Sequence, residues 1–157
     1  MNSIVYVGMD VHASNFTLSC YTLTNDECFA TVQMEPEVKN ILKYLKKVHR
    51  NLGVPCEFLC GYEAGALGFS LYRQLQKHGI HCTVLAPSTM PSFHRNEIKT
   101  DRRDAMKIAR CLAFGAFRPV HVPTKEDAAV KDFISIYLYV LVEMCKKMHI
   151  ICAILSV

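Results

Sequence analysis

The stretch KTDRRDA, residues 99–105, opens a helical pattern and places two acids three residues apart within a basic run. In a helix that starts here, positions i and i+3 lie on one face, so Asp101 and Asp104 point the same way and Arg102 and Arg103 point elsewhere. Two neighbouring carboxylates repel each other, and a divalent cation such as Mg²⁺, which prefers oxygen ligands, would offset that repulsion. The alternative is a helix cap in which the two acids satisfy free backbone N–H groups.

Composition sets the class of protein around this stretch. The chain has 157 residues, of which 51% are hydrophobic and 20% charged, which indicates one globular domain rather than a disordered chain. The net charge of +4 permits an anionic partner without requiring one. The most basic segment, residues 94–110, surrounds the paired acids; its cations are Arg95, Lys99, Arg102, Arg103, Lys107 and Arg110.

Hydrophobic periodicity predicts an α/β fold. Short apolar or alternating runs predict five strands, at residues 4–10, 15–21, 28–34, 56–62 and 81–85. Helical spacing predicts three helices, one from Val38 to about Asn51 and two at residues 67–78 and 101–114. Three strands followed by alternating helices and strands indicate a mixed five-stranded sheet with helices on both faces. The lysines of the first helix are interpreted as a solvated face.

The chain changes character near residue 123. Residues 124–127 are typical of a helix start, but residues 133–142 and 150–157 are almost wholly apolar. Polar residues 143–149 interrupt them, and a membrane span needs about 20 apolar residues, so we expect no membrane partner. We therefore divide the chain into residues 1–123 and a segment 124–157 that begins a helical linker with an atypical apolar tail. The abrupt apolar end leads us to expect a truncated piece of a longer protein.

Cysteine usage and the N-terminus indicate a cytoplasmic protein. The first ten residues run directly into a strand pattern, without the features of a signal peptide. The eight cysteines are therefore expected to be reduced. Cys56 and Cys60 lie four apart with no second ligand pair at zinc-site spacing, so they are interpreted as small buried hydrophobic residues.

Two further acids stand at strand ends. Asp10 closes the first predicted strand and Glu63 closes the fourth. If these strands are parallel neighbours, both acids meet Asp101 and Asp104 at one edge of the sheet, where α/β folds place their ligands. Four carboxylates with a basic rim would hold two Mg²⁺ ions for in-line phosphodiester chemistry. The basic helix would then contact the phosphate backbone.

Two other interpretations concern the residues after Asp10. Sugar kinases and actin-like ATPases also open with an acid at a strand end, but they need a Gly/Thr/Ser-rich phosphate turn directly after it. Residues 11–14, Val-His-Ala-Ser, do not supply that turn. His12 is interpreted as a satisfied polar side chain rather than as a group beside a metal.

Three motifs, in this order and at this spacing, resemble the amino-terminal DEDD nuclease domain of the insertion-sequence one-ten transposases. They are GMDVH at 8–12, GYEAG at 61–65 and KTDRRDA at 99–105, and the resemblance covers about residues 3–132. It implies a RuvC-like, RNase H-type fold and Mg²⁺-dependent DNA strand cleavage and exchange, directed by a structured guide RNA called a bridge RNA. Mn²⁺ is expected to be able to replace Mg²⁺.

The resemblance also implies roles for individual residues. It makes Asp10, Glu63, Asp101 and Asp104 the catalytic and metal-binding tetrad, and we assign Lys99, Arg102 and Arg103 to nucleic-acid contacts. The resemblance implies a second domain that supplies a serine nucleophile, and this chain is expected to lack that domain. It also implies that the full-length protein is a homo-oligomer that is associated with the nucleoid when it acts. The alternative function is a non-catalytic nucleic-acid-binding remnant, and an actin-fold small-molecule kinase is the third hypothesis.

Overall fold

The computed structural model describes residues 3–65, 67–91 and 100–155, without the side chains of residues 125, 128 and 148–155. Five strands and four helices lie within these ranges. The strands are β1 (Ser3–Val11), β2 (Phe16–Thr22), β3 (Glu27–Met34), β4 (Cys56–Glu63) and β5 (His81–Leu85). The helices are α1 (Val38–Leu52), α2 (Ser70–Lys77), α3 (Asp101–Phe114) and α4 (Lys125–Leu155).

The strands form one mixed sheet in the order β3-β2-β1-β4-β5. β1, β2 and β3 are joined antiparallel, whereas β4 is parallel to both β1 and β5. The prediction of a mixed five-stranded sheet is therefore confirmed. β1 is the central strand, and its residues Val5, Val7 and Met9 are fully buried.

Helices cover both faces of the sheet, as predicted. On one face, the Tyr44 hydroxyl of α1 donates to the Ala30 carbonyl at 2.9 Å and lies 3.0 Å from the Cys20 thiol of β2. Tyr62 of β4 points to the same face, where its hydroxyl accepts a hydrogen bond from the Tyr72 backbone N–H of α2. Side chains alternate along a strand, so Gly61 lies on the opposite face, and there it packs against Leu112 of α3.

Two predicted segments differ in detail. α2 begins at Ser70 rather than at residue 67, because Gly68 has a φ of +56° and residues 67–69 form a turn. The segment after α3 adds to the sheet edge: Pro119 bridges Leu85, and the Val120 N–H donates to the Val84 carbonyl at 2.8 Å. Most of the loop expected at residues 88–98 lies outside the described residues.

The chain divides into two compact units, Met1–His121 and Val122–Val157. The second unit contains α4, whose start is fixed by a reciprocal cap: the Asp127 N–H donates to Thr124 Oγ1 at 3.1 Å, and the Thr124 N–H donates to Asp127 Oδ2 at 3.3 Å. The polar residues 143–149 fall inside this one continuous helix. Across the described ranges, no helix has both the length and the apolarity needed to cross a membrane.

Buried thiols make the fold sensitive to alkaline pH. Burial raises the pKa of Cys20 and of Cys82 from 9.0 to about 12, and it also raises the pKa of Cys60 well above 9.0. Between the unfolded and folded pKa values the folded state holds more protons than the unfolded state. Stability is therefore fully present below pH 9.0 and is lost as pH rises toward the folded values.

Raising the pH from about 8 to about 10 is expected to lower the free energy of unfolding by about 1 kcal/mol for each buried thiol. Urea unfolding in a non-thiol reductant measures this loss. Cys82→Ala should reduce this loss by the contribution of one thiol, about 1 kcal/mol. Cys145→Ala, at an exposed position on α4, should leave the loss unchanged. Equal pH dependence in wild type and Cys82→Ala would refute the explanation.

Candidate metal centre

Two of the predicted acids lie at the same end of neighbouring parallel strands. Asp10 is near the end of β1 and Glu63 ends β4, and the pairing of Met9 with Tyr62 places the two acids next to each other in register. Asp10 lies two residues after Gly8, and Glu63 lies two residues after Gly61. Because side chains alternate along a strand, both acids lie on the face covered by α3. The sequence-based expectation that strands one and four bring these acids to one edge is met.

Helix α3 reaches this edge because its backbone lies directly on β1. A Cβ added to Gly8 would lie 2.1 Å from the Ala105 carbonyl oxygen and 2.3 Å from the Ala109 nitrogen. Only glycine permits this approach, which holds the helix start beside the end of the strand. Gln33 of β3 confirms the placement, because its Nε2 donates to Asp101 Oδ2 at 3.4 Å.

Among the described residues, Asp10, Asp101 and His12 form a close group of potential ligands at this edge. Each offers one ligand atom, and these three atoms lie within 4.8 Å of one another. His12 Nε2 is 3.3 Å from Asp10 Oδ2. The two carboxylates suit a divalent cation that prefers oxygen ligands, such as Mg²⁺. The imidazole also allows Mn²⁺ or another transition metal to bind.

Asp10 is held in an electrostatically unfavourable environment. Its side chain is only 15% exposed, and burial is the largest cause of a raised pKa, to which the charges of Asp104 and Asp101 add; His12 acts in the opposite direction. Within the described part of the chain, Asp10 Oδ2 is buried without a hydrogen-bond partner. The nearby polar group is the His12 imidazole, whose Nε2 lies 3.3 Å from this oxygen and partly offsets the effect of burial.

Thr17 is a second unsatisfied group beside Asp10. It is directly opposite Asp10 in the antiparallel β1–β2 register, it is fully buried, and its Oγ1 finds no hydrogen-bond partner among the residues that are described. Cross-strand neighbours have Cβ atoms about 4.5–5.5 Å apart, so the two side chains lie side by side on the same face of the sheet. A hydrated cation would supply partners to both groups.

Helix capping does not explain the paired acids. The N-cap of α3 is Thr100, whose side chain accepts a hydrogen bond from the Arg103 N–H at 3.4 Å, and the Asp104 N–H donates to the Thr100 carbonyl. The alternative in which Asp101 caps the helix is therefore wrong. Both acids remain in the first turn, where the helix dipole favours negative charge, but neither is needed as the cap.

The remaining predicted residues are placed differently. Glu63 is outside the close group and has the Lys107 ammonium 3.9 Å from its Oε1. Asp104 lies one turn into α3 and acts on Asp10 through its charge. Arg102 and Arg103 are exposed on the same turn, and Lys99 lies outside the described residues.

Two further residues lie beside the predicted acids. His12, interpreted from the sequence as a satisfied polar side chain, has its Nε2 3.3 Å from Asp10 Oδ2 and belongs to the close group with Asp10 and Asp101. Thr17 was not singled out, although a hairpin that pairs His12 with Asn15 fixes its position opposite Asp10. Counting the register outward from that turn would have identified it.

Comparison with known proteins assigns the family. The family model named DEDD_Tnp_IS110, described as "Transposase", matches residues 7–156. The chain belongs to the IS110-type DEDD transposases. This membership agrees with the RNase H-like sheet and with divalent-metal use in the family. It gives no support to the actin-fold kinase hypothesis.

Two proteins named as transposases are similar in sequence to parts of this IS110-type chain. It is 36% identical over 135 residues to a "Transposase for insertion sequence element IS1533" from Leptospira borgpetersenii, which is 85% of this chain and 38% of that protein. It is 41% identical over 73 residues to a "Putative transposase y4qE" from Sinorhizobium fredii, which is 46% of this chain and 19% of that protein. The chain thus spans well under half of either relative.

Proposed function

We propose that the unit Met1–His121 is the metal-dependent nuclease domain of an IS110-type transposase, acting in DNA strand cleavage and exchange. Asp10, Glu63, Asp101 and Asp104 are its catalytic and metal-binding residues. The observation that carries this proposal is the group of Asp10, His12 and Asp101, whose ligand atoms lie within 4.8 Å of one another around the largely buried Asp10 carboxylate. Burial and the neighbouring charges of Asp104 and Asp101 destabilise the ionised Asp10 carboxylate. A bound cation would offset this cost.

The residues present fit a divalent cation. Carboxylate oxygens are the ligands that Mg²⁺ prefers, and Mn²⁺ also accepts an imidazole such as His12. A pair of such ions would polarise a scissile phosphate and lower the pKa of an attacking water or hydroxyl. Two ions require Glu63 and Asp104 in addition to Asp10 and Asp101, which matches the four acids on this edge.

The protein side chains around the acids bind and orient the DNA backbone. Arg102 and Arg103 are exposed on the first turn of α3, where they can contact phosphates next to the acidic site. Lys99 precedes the same helix in the sequence and is proposed for the same role. Lys107 is 3.9 Å from Glu63, a loose ion pair that leaves the Glu63 carboxylate available to a cation.

We extend the proposal to the full-length family members, which this chain resembles over part of their length. For them we propose a structured guide RNA that directs the DNA target, a homo-oligomeric assembly and cytoplasmic, nucleoid-associated action. Support comes from the family match over residues 7–156 and from the relatives named as insertion-sequence transposases.

A non-catalytic nucleic-acid-binding function is the second candidate. One observation favours it: Glu63 is beside Lys107 and outside the group formed by Asp10, His12 and Asp101. A domain that uses its basic residues alone would bind DNA equally well with and without the divalent cation. Cleavage measurements therefore separate the two candidates.

Asp10→Asn is expected to lower cation-dependent cleavage of a labelled branched DNA by at least about 100-fold, because the variant loses the central ligand. The full chain is assayed in Mg²⁺ and in Mn²⁺, with EDTA as the cation-free reaction. Asp132→Asn, an exposed acid on α4, is the matched control and should cleave like wild type. Cleavage that persists in EDTA, or an Asp10→Asn variant as active as wild type, would refute the nuclease assignment.

A further inference from the structure

The sheet face opposite the acids is covered by two helices that carry only positive charge. Helices α1 and α2 together contain seven lysines and arginines and no aspartate or glutamate. These cations are Lys39, Lys43, Lys46, Lys47, Arg50, Arg73 and Lys77. Helix α3, by contrast, sets its cations beside two acids in its own first turn. This run of positive charge lies away from the residues that the sequence motifs indicate.

The cations of α1 form one stripe along the helix. They recur at i, i+4, i+7, i+8 and i+11 from Lys39 to Arg50, which places them on one exposed side. Lys39 pairs with Glu37 just before the helix. Like charges at i and i+4 destabilise a helix by a few tenths of a kcal/mol per pair, so this stripe suits contact with a polyanion.

A cavity of about 390 Å³ opens between α1 and the end of α2, beside this stripe. Its lining combines apolar and cationic or aromatic side chains, including Leu45, Lys46, His49, Phe58, His78 and Ile80. Phe58 of β4 is half-buried, and the His49 ring meets it edge-on with the ring centroids 6.4 Å apart. An aromatic surface next to a row of lysines is the arrangement with which proteins bind single-stranded nucleic acid.

We propose that α1 and α2 form a second nucleic-acid surface, which binds one strand of DNA with its phosphates along the α1 stripe and a base in the Phe58 cavity. An unpaired base can enter such a cavity, whereas a base inside a duplex presents only its edge. The acidic side chains of a peptide would match the lysines but have no aromatic face to stack in the cavity. The choice of DNA over RNA rests on the proposed function; the choice of a single strand rests on the cavity.

This surface is independent of the metal centre. Asp10 and Gly8 face α3, whereas Tyr44 and Tyr62 face α1 and α2, so the sheet separates the two regions. A strand on α1 is therefore not the segment held at the acids. The strand on α1 is a separate DNA molecule, or a distant part of the same DNA, which the domain holds while another segment is bound at the four acids.

Binding of a fluorescein-labelled oligothymidine of about 20 nucleotides to the full chain, followed by anisotropy in EDTA, tests the proposal. Lys46→Ala/Lys47→Ala is expected to weaken binding about ten-fold and to reduce the salt slope by about 1.4, since each lost phosphate contact contributes about 0.7 for a single strand. Lys146→Ala/Lys147→Ala on α4 removes an adjacent, exposed lysine pair and should change the affinity less than about two-fold. Lys46→Arg/Lys47→Arg should bind like wild type.

A second variant tests the cavity. Phe58→Leu keeps an apolar side chain but removes the aromatic face, and it should weaken single-strand binding about five-fold while leaving binding to a duplex unchanged. The proposal is overturned if the Lys46/Lys47 variant behaves like the α4 control, if a duplex binds as tightly as the single strand, or if an oligouridine binds tighter than the DNA. Because EDTA excludes the cation, failure here is distinct from failure of the metal centre.

Discussion

Gly8→Ala is expected to lower the free energy of unfolding by at least about 3 kcal/mol, a large part of the stability of a domain of this size. The new methyl carbon would lie 2.1 Å from the Ala105 carbonyl oxygen and 2.3 Å from the Ala109 nitrogen. Both atoms belong to the backbone of α3, so no side-chain rotation relieves the clash. The helix must move off β1, which also withdraws Asp101 from Asp10.

Two other glycines give the comparison for this prediction. At Gly61 the nearest atoms are side-chain methyls of Leu112 and Leu85 at 2.8 Å, so Gly61→Ala should cost less, about 1–3 kcal/mol. At Gly65 the nearest atom is 3.9 Å away, and Gly65→Ala should change stability by no more than about 0.5 kcal/mol. Urea unfolding followed by circular dichroism measures all three. A Gly8→Ala variant as stable as Gly65→Ala would contradict the close packing of α3 on β1.

Asp101→Asn/Asp104→Asn is expected to abolish detectable divalent-cation binding. Asp101 supplies one of the three ligand atoms that lie within 4.8 Å of one another, and the charge of Asp104 acts on the same buried Asp10 carboxylate. Removing both charges leaves Asp10 with the His12 imidazole and neutral amides in the close group, and Glu63 outside it, which is a weak site for Mg²⁺.

The same double variant should not be less stable than wild type when no cation is present. Thr100 remains the N-cap of α3, so the helix start is preserved. The two lost charges also no longer repel Asp10, which offsets the small loss of favourable dipole interaction. A loss of binding in a variant that melts at or above the wild-type temperature in EDTA therefore reports on the site, not on folding.

Most of the fold was predictable from periodicity. Short β-branched and aromatic runs separated by turn residues identified all five strands, and the apolar spacing of Ile41, Leu45 and Val48 identified α1. The start of α2 was not predictable, because Leu67 and Phe69 continue the apolar pattern into a turn that only the positive φ of Gly68 reveals. The expected loop after β5 falls largely outside the described residues.

The candidate site was predictable as a set of acids but not as a geometry. Motif spacing identified Asp10, Glu63, Asp101 and Asp104, and their roles remain proposals. The proximity of His12 and the burial of Thr17 depend on the β1–β2 register and on how closely α3 approaches Gly8. The β1–β2 register follows from the hairpin that pairs His12 with Asn15. The approach of α3 to Gly8 does not appear in a local pattern, because these two elements lie far apart in the sequence.

Calorimetric titration of the full chain with Mn²⁺ and Mg²⁺ tests the central claim most directly. The wild-type chain and Asp101→Asn/Asp104→Asn are compared with Glu126→Gln/Asp127→Asn, which removes two acids from the first turn of α4 instead. The account predicts saturable binding in the wild type and in the α4 control, and none in the α3 variant. Equal binding by all three chains, or no binding by the wild type, would contradict a metal centre at Asp10 and Asp101.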